Sequence, residues 1–433
     1  MKKIFPPRQT LIQRLCLSGS LLLSACAFIE ADETPVLSKR ASGESTLKVS
    51  VANGRTATST CWQETRPSGE IIQICVPENW NRQLILYAHG YVSEFEPLRL
   101  PADAAPFVAL TTGLGFAFAT TSFSENGLAI QKGIEEIREL KKTFTEKYGS
   151  PAVTYLTGAS QGGIITTLAV ERFPTEFNGG FSLCGPCGNF QRQVDYYSDF
   201  RTLFDYFFPG ALPGDAIVVP DELIRNWQSV YLPKVIGLIG SNPETTRKLL
   251  SVTKAPYDEN DPATVVNTVT SVLWYNVFTT RDGVRKLGGQ PLDNRRKIYY
   301  GTGSFREDLR LNGKVKRYAA DPAAATTIRN QYETTGNIDV PLVIAHTTKD
   351  PIQLFWHLPL YANKVNRQGR PELFTGVPVA RYGHCTFTQT EILAGLSLLF
   401  LKVTGQPMPL AQQLMDAGSN NGVLARVATV EQK

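Results

Sequence analysis

The chain has 433 residues, of which 42% are hydrophobic and 19% are charged, as expected of a globular protein with ample material for a large core. Its formal net charge is +5, and removing the four positive charges of the first 25 residues leaves about +1. Such a balance carries no basic signal for nucleic acid or acidic polymers, so no nucleic-acid partner is expected.

The N-terminus is predicted to be a targeting segment over residues 1–25. A basic stretch precedes the apolar run 15–25, which is too short to span a bilayer and is typical of a signal-peptide core. The boundary Leu23-Ser24-Ala25-Cys26 resembles a bacterial lipobox. That resemblance implies cleavage before Cys26 and lipidation of its thiol. The protein would then be anchored in the cell envelope to a bacterial membrane, with the outer membrane favoured, and would face the periplasm or the exterior. The alternative is an ordinary secretory signal in which Cys26 is incidental.

Residues 26–57 are polar and are predicted to form a tether, and residues 416–433 a polar tail. Between them, strand-like runs alternate with helical patterns, which predicts a mostly parallel sheet covered by helices on both faces. The strands are predicted at 58–76 (two strands), 83–88, 115–121, 153–157, 179–184, 340–346 and 377–382. A capping box at Thr388 and Glu391 opens a final apolar helix. The stretch 189–335 breaks the alternation; it is helical in pattern and dense in aromatic residues.

The strongest functional signal is a Gly-x-Ser-x-Gly sequence at 158–162, centred on Ser160. A β-branched strand precedes it and an apolar helix follows, so it has the setting of a nucleophile elbow. Ser160 is expected at the apex of a strained turn, where Gly158 and Gly162 leave room for the strand and the helix to pass closely. A Gly-rich structural turn is the alternative.

The order of elements, with His89-Gly90 after an early strand and the Ser160 elbow after a later one, resembles the α/β-hydrolase superfamily. The resemblance covers about 58–188 and 336–405. It implies an α/β-hydrolase fold whose core is 58–188 and 336–415, with 189–335 inserted as a mainly helical cap over the active site. Most of the cap's aromatic residues are expected to form its core, and a minority to line an apolar acyl or aryl pocket.

The same resemblance implies a catalytic triad in the order serine, acid, histidine. Asp350 follows a late strand, where the superfamily places its acid, and His384 follows the next strand, where it places its base. His357 is expected to pack or to line the site. Asp339 and Glu372, the nearest other acids, lie at strand starts, and Asp350 as a solvated loop residue remains the alternative.

Two backbone amides are expected to form an oxyanion hole. One is that of Gln161, directly after the nucleophile, and the other is that of Tyr91, directly after His89-Gly90. His89 is then expected to be structural, with its ring bonded to nearby backbone.

Six cysteines would remain after cleavage, and an exported protein can keep disulfides. Cys61 and Cys75 flank a turn between two strands and are predicted to pair. Because the strand ending at Cys184 and the His384 loop must meet near Ser160, Cys385 is predicted to pair with Cys184 or Cys187, leaving the other one free. A buried free Cys385 is the alternative. The run Cys184-Gly-Pro-Cys187 has no second ligand pair with metal spacing, so no metal site is predicted.

Further signatures are similar to bacterial α/β-hydrolases related to prolyl-oligopeptidase catalytic domains, although no propeller domain precedes them. They are Tyr-Ala-His-Gly-Tyr (87–91), Ser-Phe-Ser-Glu-Asn-Gly (122–127), His-Thr-Thr-Lys-Asp-Pro (346–351) and Tyr-Gly-His-Cys (382–385). Feruloyl esterases and tannases join a cysteine before the serine to one after the histidine. Cys385 fits the second of these positions, whereas Ala159 stands at the first.

These features predict an exported, lipid-anchored serine hydrolase, foremost a carboxylic ester hydrolase that forms an acyl-enzyme on Ser160. The expected substrate is a small-molecule or oligomeric ester, with no metal or organic cofactor. An exported serine peptidase of the same fold is the alternative, and a non-catalytic lipoprotein is the less favoured one. The oligomeric state is left open.

Overall fold

A computed structural model describes residues 42–51 and 55–408 of the chain. The predicted signal peptide, Cys26 and the predicted tail 416–433 lie outside these residues. Within them, no helix is both long enough and apolar enough to cross a membrane.

A nine-stranded sheet forms the centre of the molecule, in the order β1-β2-β3-β5-β4-β6-β7-β8-β9. The pairs from β1 to β5 along this order are antiparallel, and all pairs from β5 to β9 are parallel. The strands are β1 (Ser42–Val51), β2 (Arg55–Thr65), β3 (Ile71–Pro77), β4 (Gln83–Ala88), β5 (Ala117–Thr121), β6 (Val153–Ala159), β7 (Gly179–Leu183), β8 (Leu342–Lys349) and β9 (Phe374–Tyr382).

Twelve α-helices lie in the described part of the chain. They are α1 (Ala104–Gly113), α2 (Ile130–Tyr148), α3 (Gln161–Arg172), α4 (Phe190–Phe207), α5 (Asp221–Arg225), α6 (Leu232–Ser241), α7 (Pro243–Thr253), α8 (Ala263–Leu287), α9 (Phe305–Lys314), α10 (Pro322–Thr327), α11 (His357–Arg367) and α12 (Gln389–Thr404). Single π-helical turns follow α5 and α10, at Trp227–Tyr231 and Ile328–Tyr332. The predicted capping box is present at the start of α12, where Thr388 and Glu391 cap each other's backbone amides.

Both faces of the sheet are covered, because successive side chains of a strand point to opposite faces. In β4, Leu84 and Leu86 pack in the cluster that holds α2, α3 and α11. Ile85 and Tyr87 pack on the other face, with α1 and α12. The α/β-hydrolase fold and the mostly parallel sheet expected from the sequence are therefore confirmed.

The tether prediction is wrong over its described part. Instead of a tether, residues 42–51 form β1, which pairs antiparallel along its whole length with β2. The backbone groups of this polar segment that face β2 are thus paired in a strand ladder at the sheet edge, which the polar composition did not reveal.

The stretch between β7 and β8 forms the predicted helical insertion and has a hydrophobic cluster of its own. Side chains from α4, α6, α7 and α8 make up most of this cluster, together with Ile352 and Leu354 from the loop after β8. The last part of the insertion differs, because Ala324, Ile328 and Tyr332 pack into the cluster beneath the sheet. We use "cap" for residues 189–335, and its C-terminal part therefore rests on the catalytic core.

Candidate active site

Ser160 lies between the end of β6 and the start of α3, with φ 56° and ψ −119°. This left-handed backbone conformation is rare for a non-glycine residue, and it is held by the hydrogen bond from the Ser160 amide to the Leu183 carbonyl (2.9 Å). A Cβ on Gly158 would lie 2.7 Å from the Ala88 carbonyl oxygen, and one on Gly162 would overlap the Ala88 carbonyl. The glycines are therefore required by the close passage of α3 over β4, as the elbow interpretation predicts.

The structure brings Ser160, His384 and Asp350 together from three separate segments. His384 Nε2 lies 2.8 Å from Ser160 Oγ, and His384 Nδ1 lies 2.7 Å from Asp350 Oδ2. Because the carboxylate can only accept, Nδ1 carries the proton, and Nε2 is left to accept the proton of the serine hydroxyl. This is the geometry of a serine nucleophile with its general base.

Asp350 is fully buried, and both of its carboxylate oxygens are engaged. While Oδ2 accepts from His384, Oδ1 accepts from the backbone amides of Ile352 (2.8 Å) and Gln353 (3.0 Å). The turn after β8 therefore fixes the carboxylate that orients the imidazole. The two other acids considered, Asp339 and Glu372, are exposed and lie elsewhere.

His357 is buried away from the nucleophile, and both of its ring nitrogens have structural partners. Its Nδ1 accepts from the Gly188 amide (3.0 Å), so its Nε2 carries the proton and donates to Gln193 Oε1 (2.8 Å). Burial lowers the pKa of His357 well below its ordinary value, which keeps the ring neutral. His357 thus joins the start of the cap to α11.

The two remaining histidines also bind backbone carbonyls. His346 Nε2 donates to the Gln353 carbonyl (2.6 Å), and His89 Nδ1 donates to the Gly90 carbonyl (2.7 Å). Burial lowers the pKa of both imidazoles. His89 also stacks on Phe123, with ring centroids 4.1 Å apart, which fits the structural role expected for it.

The two residues proposed for the oxyanion hole, Tyr91 and Gln161, lie beside Ser160. Gln161 is the first residue of α3, so its amide has no acceptor within the helix, and it stands at the positive end of the helix dipole. At Gly90, the residue before Tyr91, an added Cβ would lie only 3.4 Å from Ser160 Cβ. The Tyr91 hydroxyl donates to the Phe278 carbonyl of α8 (2.9 Å), which ties this loop to the cap.

Both predicted disulfides are present, and Cys184 rather than Cys187 is the partner of Cys385. Cys61 pairs with Cys75 across the β2–β3 ladder, and Cys385 pairs with Cys184. Cys187, the other candidate partner of Cys385, is a buried free thiol. Its Sγ lies 3.0 Å from Thr167 Oγ1 on α3, so it points under the elbow helix and away from the His384 loop. Burial raises the pKa of this thiol to about 11.

A pocket of about 850 Å³, counting its mouth, opens over Ser160 between the core and the cap. We call it the catalytic pocket. Its lining is largely apolar, and none of the described residues that line it is charged. The lining residues are Tyr91, Leu128, Ile130, Ser160, Gln161, Pro186, Phe190, Gln193, Val194, Tyr197, Ser198, Ala216, Ile217, Tyr275, Thr279, Thr280, Gly283, Val284, Leu287, Gln290, Pro291 and Gln353.

Aromatic residues of the cap divide as expected between core and pocket. Tyr197 of α4 and Tyr275 of α8 line the pocket and stack with ring centroids 5.1 Å apart, whereas Phe200 and Phe204 are buried in the cap's own cluster. Sequence reasoning missed Gln193, Gln290 and Gln353 of the pocket, and for Gln161 it considered only the backbone amide. Gln353 carried an available signal, because it lies three residues after Asp350 in the same turn.

No family model matches the sequence, and no curated protein matches it either. Three solved structures that this chain is similar to are two esterases and a lipase. Feruloyl esterase B from Aspergillus oryzae is 16% identical, with 83% of this chain and 86% of that one covered, at a TM-score of 0.42. Candida antarctica lipase A is 13% identical (84% and 81% covered, TM-score 0.44), and the cell wall degrading esterase LipA from Xanthomonas oryzae is 14% identical (86% and 90% covered, TM-score 0.38).

The chain's own architecture defines its class. The sheet order, the strained serine between β6 and α3, and the acid and histidine after β8 and β9 are those of an α/β-hydrolase fold with a serine-hydrolase site.

Proposed function

We propose that the protein is a carboxylic ester hydrolase that works through an acyl-enzyme on Ser160. The observation that carries the proposal is the 2.8 Å contact of His384 Nε2 with Ser160 Oγ at the floor of an uncharged, mostly apolar pocket. Such a lining suits the neutral acyl group of an ester, because no charge on the substrate would find a partner there.

The reaction follows from the geometry in two halves. His384 takes the hydroxyl proton as Ser160 attacks the ester carbonyl, and Asp350 stabilises the resulting imidazolium. The amides of Tyr91 and Gln161 stabilise the oxyanion. His384 then gives its proton to the leaving alcohol. In the second half His384 activates water, which attacks the acyl-enzyme and releases the acid and free Ser160.

A serine peptidase that takes short peptides from their N-terminus would need an acidic group to bind the free amine. The described lining of the catalytic pocket contains no carboxylate, which favours an ester over an aminoacyl substrate. The site otherwise suits either reaction, so substrate selection decides between them.

The experiment compares 4-nitrophenyl acyl esters with aminoacyl 4-nitroanilides, using the wild type and Ser160→Ala. Hydrolysis of the esters, absent in Ser160→Ala, together with loss of activity after fluorophosphonate labelling of Ser160, supports the proposal. Preferred cleavage of the anilides would replace it with the peptidase. A wild type that neither labels nor hydrolyses any ester or anilide would contradict both.

We propose further that the enzyme is exported and lipid-anchored through Cys26. The lipobox-like sequence and the basic and apolar segments before it support this placement. The two disulfides suit an oxidising compartment outside the cytosol.

A further inference from the structure

Two buried polar groups in the catalytic pocket lack hydrogen-bond partners among the described residues. They are Gln161 Nε2 and Gln353 Oε1, and each of the two residues is only 6% exposed. Both residues line the pocket. Leaving a buried amide atom without a partner costs about 1–3 kcal/mol, so native proteins keep few such atoms. Two of them in one pocket point to a ligand that pairs with them.

Gln353 is held in place at all of its other polar atoms. Its amide donates to Asp350 Oδ1 (3.0 Å), its carbonyl accepts from His346 Nε2 (2.6 Å), and its Nε2 donates to the Tyr197 hydroxyl (3.1 Å). Turning this side-chain amide over would let Oε1 accept from the Tyr197 hydroxyl and would leave Nε2 without a partner in its place, so one polar atom of the amide stays unpaired in either orientation. Such pre-organisation suits a binding group.

We propose that Gln161 and Gln353 bind a neutral hydroxyl group carried by the acyl part of the substrate; this inference rests on the proposed ester hydrolase. A hydroxyl both donates and accepts, so its chemistry matches Gln353 Oε1 as an acceptor and Gln161 Nε2 as a donor. It also pairs with either orientation of each side-chain amide. A carboxylate or an ammonium group would lack a counter-charge, because no charged residue lines the described pocket.

The positions of the two glutamines assign the bound hydroxyl to the acyl part of the substrate and not to the alcohol. Gln161 directly follows Ser160, and Gln353 belongs to the turn that holds Asp350. The acyl group stays attached to Ser160 while the alcohol leaves and water enters, so groups fixed around Ser160 keep their contacts with the acyl group through both halves of the reaction.

The test uses pairs of 4-nitrophenyl esters whose acyl groups differ by one hydroxyl. Suitable pairs are butanoate with 3- and 4-hydroxybutanoate, and 3-phenylpropanoate with its ring-hydroxylated forms. We expect a preference of about tenfold or more in kcat/KM for the hydroxylated member of at least one pair, because a site built for a hydroxyl is left unpaired by the analogue that lacks it. Gln353→Met and Gln161→Met should each bring this ratio towards one.

The ratio separates binding of the hydroxyl from a general loss of activity, which lowers both members of a pair equally. Thr279→Val is the matched control, because Thr279 lines the same pocket but its hydroxyl already donates to the Tyr275 carbonyl (2.6 Å). This variant should keep the wild-type ratio. A wild type that hydrolyses plain esters without any preference would overturn the inference and leave the proposed function standing. A preference that survives both glutamine variants, or that arises only with the hydroxyl on the alcohol side, would overturn it as well.

Discussion

Cys184 and Cys385 are 201 residues apart in the sequence, yet their Cα atoms lie 5.5 Å apart and their side chains form a disulfide. Cys184 directly follows β7 beside the elbow, and Cys385 directly follows His384. Both have a positive φ, 45° and 54°, so the backbone turns sharply at each end of the bridge. The disulfide thereby ties the loop of the catalytic base to the strand next to the nucleophile.

Removing this disulfide should lower both stability and activity. For Cys184→Ser with Cys385→Ser, the chain-entropy model gives a loss of about 5 kcal/mol, because the closed loop is so long. We also expect a fall in kcat, since a displaced His384 is costly to the rate. Urea unfolding and initial rates measure the two effects.

The matched control is Cys61→Ser with Cys75→Ser, which removes a bridge of sequence separation 14 at the far side of the sheet. This pair should lose about 3 kcal/mol and keep its kcat in the folded protein. An equal fall in kcat for both pairs would contradict a local role for the Cys184 bridge. Peptide mapping without reductant should recover Cys184 linked to Cys385, and Cys187 as a free thiol.

The triad residues should act as a unit. Ser160→Ala and His384→Ala should each lower kcat by about 10³ or more, and the double variant should lose little further. Asp350→Asn should also be severely impaired, since it removes the acceptor that fixes the imidazole tautomer while it retains an oxygen for the Ile352 and Gln353 amides. Rates of the folded variants are the measurement, and His357→Ala should lose far less. An inactive His357→Ala beside an active His384→Ala would refute the assignment of the base.

Gly162→Ala should be strongly destabilising, because the added Cβ would overlap the Ala88 carbonyl in the backbone of β4. Gly237→Ala is the matched control. Gly237 lies within α6, where an added Cβ meets nothing within 4 Å, so alanine should raise stability by about 0.5–1 kcal/mol. Thermal melts of the two variants are compared. A Gly162→Ala protein as stable as the wild type would exclude the close passage at the elbow.

The stability of the cap should depend on pH through Asp195 of α4. Burial raises the pKa of Asp195 to about 7, and the neighbouring Asp199 adds to the effect. Between the ordinary aspartate pKa of 3.8 and the raised pKa of about 7, the folded chain binds more protons at this site than the unfolded chain. The free energy of unfolding therefore falls as the pH rises through that window.

Asp195→Asn removes the titrating group, so its stability relative to the wild type should rise by about 2–3 kcal/mol between pH 5 and pH 8. Urea midpoints at the two pH values measure it. Asp293→Asn serves as the control, because Arg295 lowers the pKa of that exposed carboxyl and its replacement should give no such gain. A pH-independent difference between Asp195→Asn and the wild type would contradict the raised pKa.

Cys26 should carry the membrane anchor. Cys26→Ser should move the protein from the membrane to the soluble exported fraction, because stable anchoring requires more than one acyl chain and the lipobox cysteine would supply them. Cell fractionation followed by immunodetection measures the shift. An unchanged membrane fraction would contradict the lipobox interpretation.

Local patterns in the sequence were sufficient to predict the elbow and the mostly parallel sheet, and the resemblance to α/β-hydrolases added the expectation that Asp350 and His384 lie beside Ser160. Gly158, Ser160 and Gly162 specify a turn through their own backbone requirements, and the order of serine, acid and histidine follows from which strand each residue ends. Such information is local or topological, so it can be read without coordinates.

Other features depend on contacts between segments that are far apart in the chain. Cys184 and Cys187 are equivalent as sequence, and only the packing of the loop after β7 directs Cys184 to Cys385 and Cys187 beneath α3. The polar residues 42–51 became a strand because β2 was available to pair with them. Likewise, Gln353 Oε1 is left to bind a substrate because His346, Asp350 and Tyr197 pair with the other polar atoms of Gln353. The sequence thus determined the chemistry of the site, while tertiary packing decided which neighbouring groups were left free to select a substrate.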